Sequence, residues 1–278
     1  MNILVPTDFS ECANKAFDSA MALAKKHDGN LHVFHASNIP DDWLLKLSTQ
    51  EFGNRLNKSI KSYATSQMNT LCNKAELSGL SCEMHFDDGR LINHLDHLIT
   101  NLKIDLVVMG SHGLSAKNEW MIGSNAQKCI KALKTSVLVI KRAIRDSDFK
   151  KVAFVSSLQK EDKAAFRRFL NFINPLKVDH IHILYVNTIG WHTAPVIIRQ
   201  RDQNDFEQMA LGYKCTTHIH RDYSVDAGVR HFIEQQDIGL IGISNHKRHP
   251  IKRFFQGSNV ELLVNHLQIP VLSIDYPD

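Results

Sequence analysis

Residues 110–126 read GSHGLSAKNEWMIGSNA, with Gly110, Gly113 and Gly123 followed by Ser124 and nine residues between the second and third glycine. A missing Cβ can serve two ends. It can permit positive φ or the close packing of a helix, or it can let backbone N–H groups approach an anion. Ser124-Asn125-Ala126-Gln127 reads as the start of a helix. The first N–H groups of a helix have no intrahelical partner and carry the positive end of its dipole, so a phosphate binds there readily. The Ser124 hydroxyl adds a donor. The spacing is neither a Walker A loop, since no GK[ST] follows, nor a GxGxxG dinucleotide fingerprint. Asp8, just past Ile3-Leu4-Val5-Pro6-Thr7, is the second candidate. It can cap a helix, or accept hydrogen bonds from an amino or hydroxyl group of a ligand.

Other reactive side chains fit less chemistry. Among the sixteen histidines, His180/His182 and His218/His220 are spaced i, i+2 and share a strand face. No carboxylate or cysteine completes a familiar ligand spacing with them, and no structural metal is expected. His112 sits inside the glycine loop and can touch a phosphate or point to solvent. Lys117, Trp120 and Met121, with Phe254 and Phe255 at the matching place, read as solvated or packing residues. Five cysteines without CxxC spacing read as reduced thiols, with Cys12 and Cys129 on buried helix faces. No GxSxG or HExxH signature is present.

The elements that must position these residues recur within the chain. Ile3-Leu4-Val5, LHVFHA (31–36), Ile104–Met109 and Ser136–Ile140 are short apolar runs separated by helical patterns. Val152–Val155, HILYV (182–186), Ile238–Ile243 and Pro270–Ile274 repeat the series, and Gly257-Ser258-Asn259 answers Gly123-Ser124-Asn125. Such alternation predicts parallel sheets of βαβ units. Strands are expected near 2–6, 30–36, 81–86, 104–109 and 136–141. Helices are expected near 10–27, 90–101 and 123–134, with a mostly helical segment over 40–79 and Ser10 as a helix cap. Two domains, 1–143 and 150–278, meet at the short charged junction 142–150. In doubly wound sheets ligands sit beyond the carboxyl ends of the strands where strand order reverses, and Asp8 and Gly110 both fall there.

The composition, 43% hydrophobic and 22% charged with a formal charge of +4, is that of a soluble globular protein. It carries no apolar run near the roughly 20 residues of a membrane span and no secretory signal pattern. Basic clusters such as His246–His249 lack aromatic interleaving, so neither a nucleic-acid nor a membrane partner is expected. A cytoplasmic location is the expectation.

VPTDFSECANKAF, HVFHA, DLVVMGSHG and GSNAQKCIKALKTSVLVIK together resemble the universal stress protein (UspA-like) family, as two tandem copies. The resemblance implies two Rossmann-like, adenine nucleotide α-hydrolase-like five-stranded parallel sheets of strand order 3-2-1-4-5. It implies ATP or another adenine nucleotide, with or without Mg, bound through G-x2-G-x9-G-[ST]. Pro6, Thr7, Asp8 and Ala36 would border the base and ribose, and Met109 and Gly110 would flank them. His112, Gly113, Gly123, Ser124 and Asn125 would lie at the phosphates. The final strands, Val137–Ile140 and Val271–Ile274, would pair about a pseudo-twofold axis, as family members do between chains, and a homodimer of the fused chain stays open. Thr135 stands where the family often has proline.

Aligned on Gly257-Ser258, the second copy has Ser244 and Lys247 for the first two glycines, Leu158 at the Asp8 position and Ser156-Ser157 for Pro6-Thr7. It is expected to have degenerated to a structural or regulatory half without nucleotide binding, keeping Gly257-Ser258 as a helix start, while Lys247 leaves open an altered anion site. The function implied is a nucleotide-binding regulatory stress protein. The alternatives are an ATPase, expected to be slow because no general base for water is evident, and a nucleotide-free interaction or small-ligand protein acting through its second domain.

Overall fold

The computed structural model describes residues 1–37, 50–87, 91–113, 122–188, 196–245 and 253–275. The first half runs β1 (Asn2–Pro6), α1 (Glu11–His27), β2 (Asn30–Ala36), α2 (Gln50–Glu76), β3 (Cys82–Asp87), α3 (Leu91–Asn101), β4 (Leu106–Gly110), α4 (Ser124–Ala132) and β5 (Ser136–Ile140). The second half runs β6 (Lys151–Val155), α5 (Asp162–Ile173), β7 (His180–Thr188), α6 (Val196–Met209), β8 (Cys215–Asp222), α7 (Val225–Gln236), β9 (Leu240–Ser244), α8 (Arg253–His266) and β10 (Val271–Ile274).

Each half has the order 3-2-1-4-5 with every neighbour parallel, as the continuous apolar strands require. The two sheets do not stay separate. β5 and β10 pair antiparallel, with Val139 opposite Val271 and Val137 opposite Ser273, so the chain forms one ten-stranded sheet. Antiparallel joining points the carboxyl ends of the two halves to opposite edges of that sheet. Side chains alternate across it. Val5, Phe17 and Phe154 belong to one core layer that runs through both halves, and Leu4, Phe34 and Ile241 to the layer on the other face.

The junction is packed, as its shortness suggests. Arg142 holds Asp148 through two bonds of 2.7 and 2.8 Å, Ile144 N–H donates to Ser19 Oγ, and Phe149 is buried. The Thr135 hydroxyl donates to the carbonyls of Ile104 and Asp105 at the entry to β5.

Two expectations are corrected. Cys72 and Cys82 are not free thiols: the end of α2 and the start of β3 bring their Cα atoms to 5.2 Å and they form a disulfide. Cys12 and Cys129 are outside any disulfide and buried, as expected. Gly257-Ser258 is not a helix start, because α8 begins at Arg253 and carries both residues inside its first turns.

Candidate functional site

Strand order reverses between β1 and β4, and the segments leaving these strands face each other across the gap. After β1 the chain turns through Phe9, at φ 63°, into α1. The Thr7 N–H continues the ladder by donating to Phe34 O (2.9 Å), while Thr7 Oγ1 accepts from Phe9 N (3.0 Å). Asp8 Oδ1 accepts from Ser10 N (3.1 Å), and Ser10 Oγ caps α1 by accepting from Ala13 N (3.1 Å). Ser10, not Asp8, is therefore the helix cap. His35 stacks on Phe9 at 4.6 Å and its Nδ1 lies 2.8 Å from Thr7 O, fixing the turn from the side.

Across the gap, none of the three motif glycines has positive φ. Space explains them instead. A Cβ on Gly110 would lie 2.7 Å from Cys12 Sγ and 3.0 Å from Cys12 C, so this glycine lets α1 pack on the end of β4. A Cβ on Gly113 would overlap Asp8 Oδ2. Gly123 comes close to the loop's own backbone: its N–H donates to Ser111 O at 2.6 Å, and a Cβ would lie 3.3 Å from His112 Cα. Ser111 is fully buried and its N–H donates to Ile140 O (2.8 Å), anchoring the loop on β5. Its hydroxyl lies 3.0 Å from His112 Nδ1.

Helix α4 then begins with Gly123 as its N-cap, and no side chain caps it. The first bond inside the helix is Gln127 N to Gly123 O, so the N–H groups of Ser124, Asn125 and Ala126 are the donors a ligand would meet. The Gly123 N–H is already committed to Ser111. Ser124 and Asn125 are exposed, and both Asp8 and Gly113 are half-buried.

The remaining expected site residues are distributed unevenly. Pro6 ends β1 and is buried, and Ala36 ends the neighbouring β2 at the same carboxyl edge, half-buried. Met109 is 5% exposed and packs in the core, so its side chain serves the fold. Lys117, Trp120, Met121 and Lys247 lie outside the described residues. Sequence reading missed Asn265 of α8. Its Oδ1 accepts from Ile122 N (2.6 Å) next to Gly123, and its carbonyl accepts from Lys141 Nζ (2.5 Å). Burial lowers the Lys141 pKa from its ordinary value. The second half thus reaches the mouth of the first half's site.

The equivalent strand ends in the second half carry different side chains. Ser156 N donates to Leu184 O and Ser156 Oγ accepts from Leu158 N, the same two bonds made around Thr7. Leu158 has φ 59°, like Phe9. Leu158 is therefore the counterpart of Phe9, and Ser157, not Leu158, stands at the Asp8 position. Ser244 replaces Gly110. Its hydroxyl donates to Asp162 Oδ1 (2.6 Å), and Asp162 Oδ2 accepts from Ser156 Oγ (2.8 Å), Ser157 N (2.8 Å) and Ser157 Oγ (2.7 Å). Asp162 is fully buried. A hydrogen-bonded network of Ser156, Ser157, Ser244 and Asp162 thus stands at the strand ends where the first half packs Gly110 against Cys12.

These features define a class: a doubly wound α/β protein, duplicated within one chain, with a helix start that no side chain caps at the switch point of one copy. The chain belongs to the universal stress protein family, whose model matches residues 1–141, just over half of its 278 residues. Over its full length the fold matches a universal stress protein from Archaeoglobus fulgidus DSM 4304, with TM-score 0.71 and 18% identity, covering 100% of this chain and 97% of that one. A putative universal stress protein from Pseudomonas aeruginosa UCBPP-PA14 is similar at TM-score 0.68 and 14% identity, covering 99% and 92%. In sequence, universal stress protein MJ0577 of Methanocaldococcus jannaschii is 28% identical over 152 residues, which span 50% of this chain and 94% of the relative. This chain is therefore about two such relatives long. Among the described residues no helix is long and apolar enough to cross a membrane.

Proposed function

We propose that this protein is a nucleotide-binding stress-response regulator whose first domain, residues 1–143, takes ATP or a related adenine nucleotide, while the domain 150–278 binds none. Pro6, Thr7, Asp8 and Ala36 border the base and ribose, with the Asp8 carboxylate accepting from an amino or hydroxyl group. Met109 and Gly110 flank the ligand through their main chain. His112, Gly113, Ser124 and Asn125 meet the phosphates at the start of α4, and Gly123 holds the loop to Ser111 so that this start stays open.

The observation that carries the reading is the contact between Asp8 and Gly113. It joins the two sequence features at the switch point, and a Cβ at position 113 would overlap Asp8 Oδ2 unless that carboxylate moved. Binding is the expected activity, since the described groups around the crevice supply hydrogen-bond donors and a carboxylate. The test is to denature freshly purified full chain and identify the released nucleotide by chromatography, then to follow the melting temperature with added ATP. Recovery of an adenine nucleotide, or an ATP-dependent rise, supports the reading. No nucleotide and no thermal response sinks it.

A further inference from the structure

Away from the crevice, three metal-ligating side chains meet at the β2–β3 edge of the sheet. The two strands pair in parallel, with His32 opposite Glu83 and Phe34 opposite His85. His32 Nδ1 lies 3.1 Å from His85 Nε2 and 3.5 Å from Glu83 Oε2, and His85 Nε2 lies 4.0 Å from the same oxygen. A tetrahedral zinc ion with bonds of roughly 2.0–2.1 Å spaces its ligand atoms about 3.4 Å apart. The three separations bracket that value.

We propose that His32, Glu83 and His85 form a site for a divalent transition metal ion of the zinc class, held by two imidazoles and one carboxylate with a fourth position open to solvent. The two rings make a walled base, their side chains 7% and 20% exposed, and Glu83 stands at the mouth at 62%. Imidazole with carboxylate is a donor set that suits zinc and its neighbours over calcium or magnesium. His32 lies near the amino end of β2, whereas Ala36 marks the crevice edge of the same strand. The site is therefore separate from the proposed nucleotide site and does not rest on it.

The second half supplies an internal control. His182 pairs opposite Thr216 and Leu184 opposite His218, so His182 and His218 occupy the places of His32 and His85. Their nitrogens are 3.0 Å apart, almost the same contact. Thr216 replaces Glu83, and its hydroxyl is taken by His180 Nε2 at 2.9 Å. The histidine pair is kept in both halves, and the carboxylate that completes a metal site is present in one. Among the described residues the other three-ligand group is His220, Asp222 and His231, in which His231 Nδ1 is 2.7 Å from Asp222 Oδ2.

The experiment uses Co²⁺ as an optical stand-in for zinc on the full chain, followed by displacement with Zn²⁺. The wild type is expected to develop the visible bands of four-coordinate Co²⁺ and lose them to Zn²⁺. Glu83→Thr, which recreates the second-half arrangement at an exposed position, and His85→Ala are expected to abolish the bands. At the least they should weaken binding beyond the about 10–100-fold cost of losing an outer-sphere partner. His231→Ala is expected to keep the bands, which separates this site from the second cluster. Circular dichroism confirms that each variant is folded, and its response to ATP reports separately on the nucleotide reading. Absence of the bands in the wild type overturns the proposal, as does their persistence in both Glu83→Thr and His85→Ala.

Discussion

Adding a single methyl group at position 113 is the sharpest perturbation of the proposed nucleotide site. The Cβ of Gly113→Ala would overlap Asp8 Oδ2 and lie 3.2 Å from Asp8 Cγ. Its only close neighbours are the far end of one rotatable side chain. Relief therefore means swinging the Asp8 carboxylate away and giving up its bond with Ser10 N. The fold survives, at a cost near the low end of the about 1–3 kcal/mol typical of overpacking. The ligand loses the contact that Asp8 makes. A hydrogen bond to a charged group is worth about 1.5–3 kcal/mol, so ATP affinity should fall roughly 10- to 150-fold. The assay is competition with a fluorescent adenine nucleotide, run as a cycle with Asp8→Ala. In the Asp8→Ala background the new methyl meets nothing, so its additional effect should stay within about 0.5 kcal/mol, roughly twofold. Equal losses in the two backgrounds would refute the contact as the source of the effect.

Three further outcomes follow from the same structure. Asp162→Ala removes the acceptor of four hydrogen bonds in that network, and the stranded donors should destabilise the second half by about 3 kcal/mol or more in chemical denaturation. Cys72→Ser opens a disulfide that closes a separation of 10 residues, and by chain entropy should cost about 3 kcal/mol, read as a lower denaturant midpoint than the oxidised wild type. The His182 pKa is lowered to about 4, chiefly by burial and then by His180 and His218. The unfolded chain therefore binds the proton first on acidification. Stability supplied by the neutral ring is complete above about pH 6.5 and is lost as pH falls toward 4, so His182→Gln should flatten the stability profile across that window.

Much of the fold was legible because buried parallel strands must be continuous apolar runs. Ile3-Leu4-Val5 and Ser136–Ile140 cannot be surface, and Ser10 announces the start of α1. The glycine spacing and Asp8 were legible as types, but their reason was not. Positive φ and anion approach both fit the sequence, whereas Gly110 answers to helix packing and Gly113 to Asp8. The second-half register slipped by one residue because Ser156-Ser157 was set against Pro6-Thr7 at the end of the apolar run, which placed Leu158 at Asp8. The left-handed turn shared by Phe9 and Leu158, and the bonds around Thr7 and Ser156, are backbone facts that no residue type declares. Glu83 and His85 stand i, i+2 and were passed over, because His32 lies on the adjacent strand some fifty positions away and only the β2–β3 register joins them. Cys72 and Cys82 were missed for a related reason, since their pairing depends on how α2 turns back into β3.

The central claim is that one half binds an adenine nucleotide and the other does not. Calorimetric titration of nucleotide-stripped full chain with ATP tests it most directly, alongside folded Gly113→Lys, which gives the first half the second half's residue. The account predicts one nucleotide per chain in the wild type and none in the variant. Two per chain, none in the wild type, or undiminished binding by Gly113→Lys would contradict it.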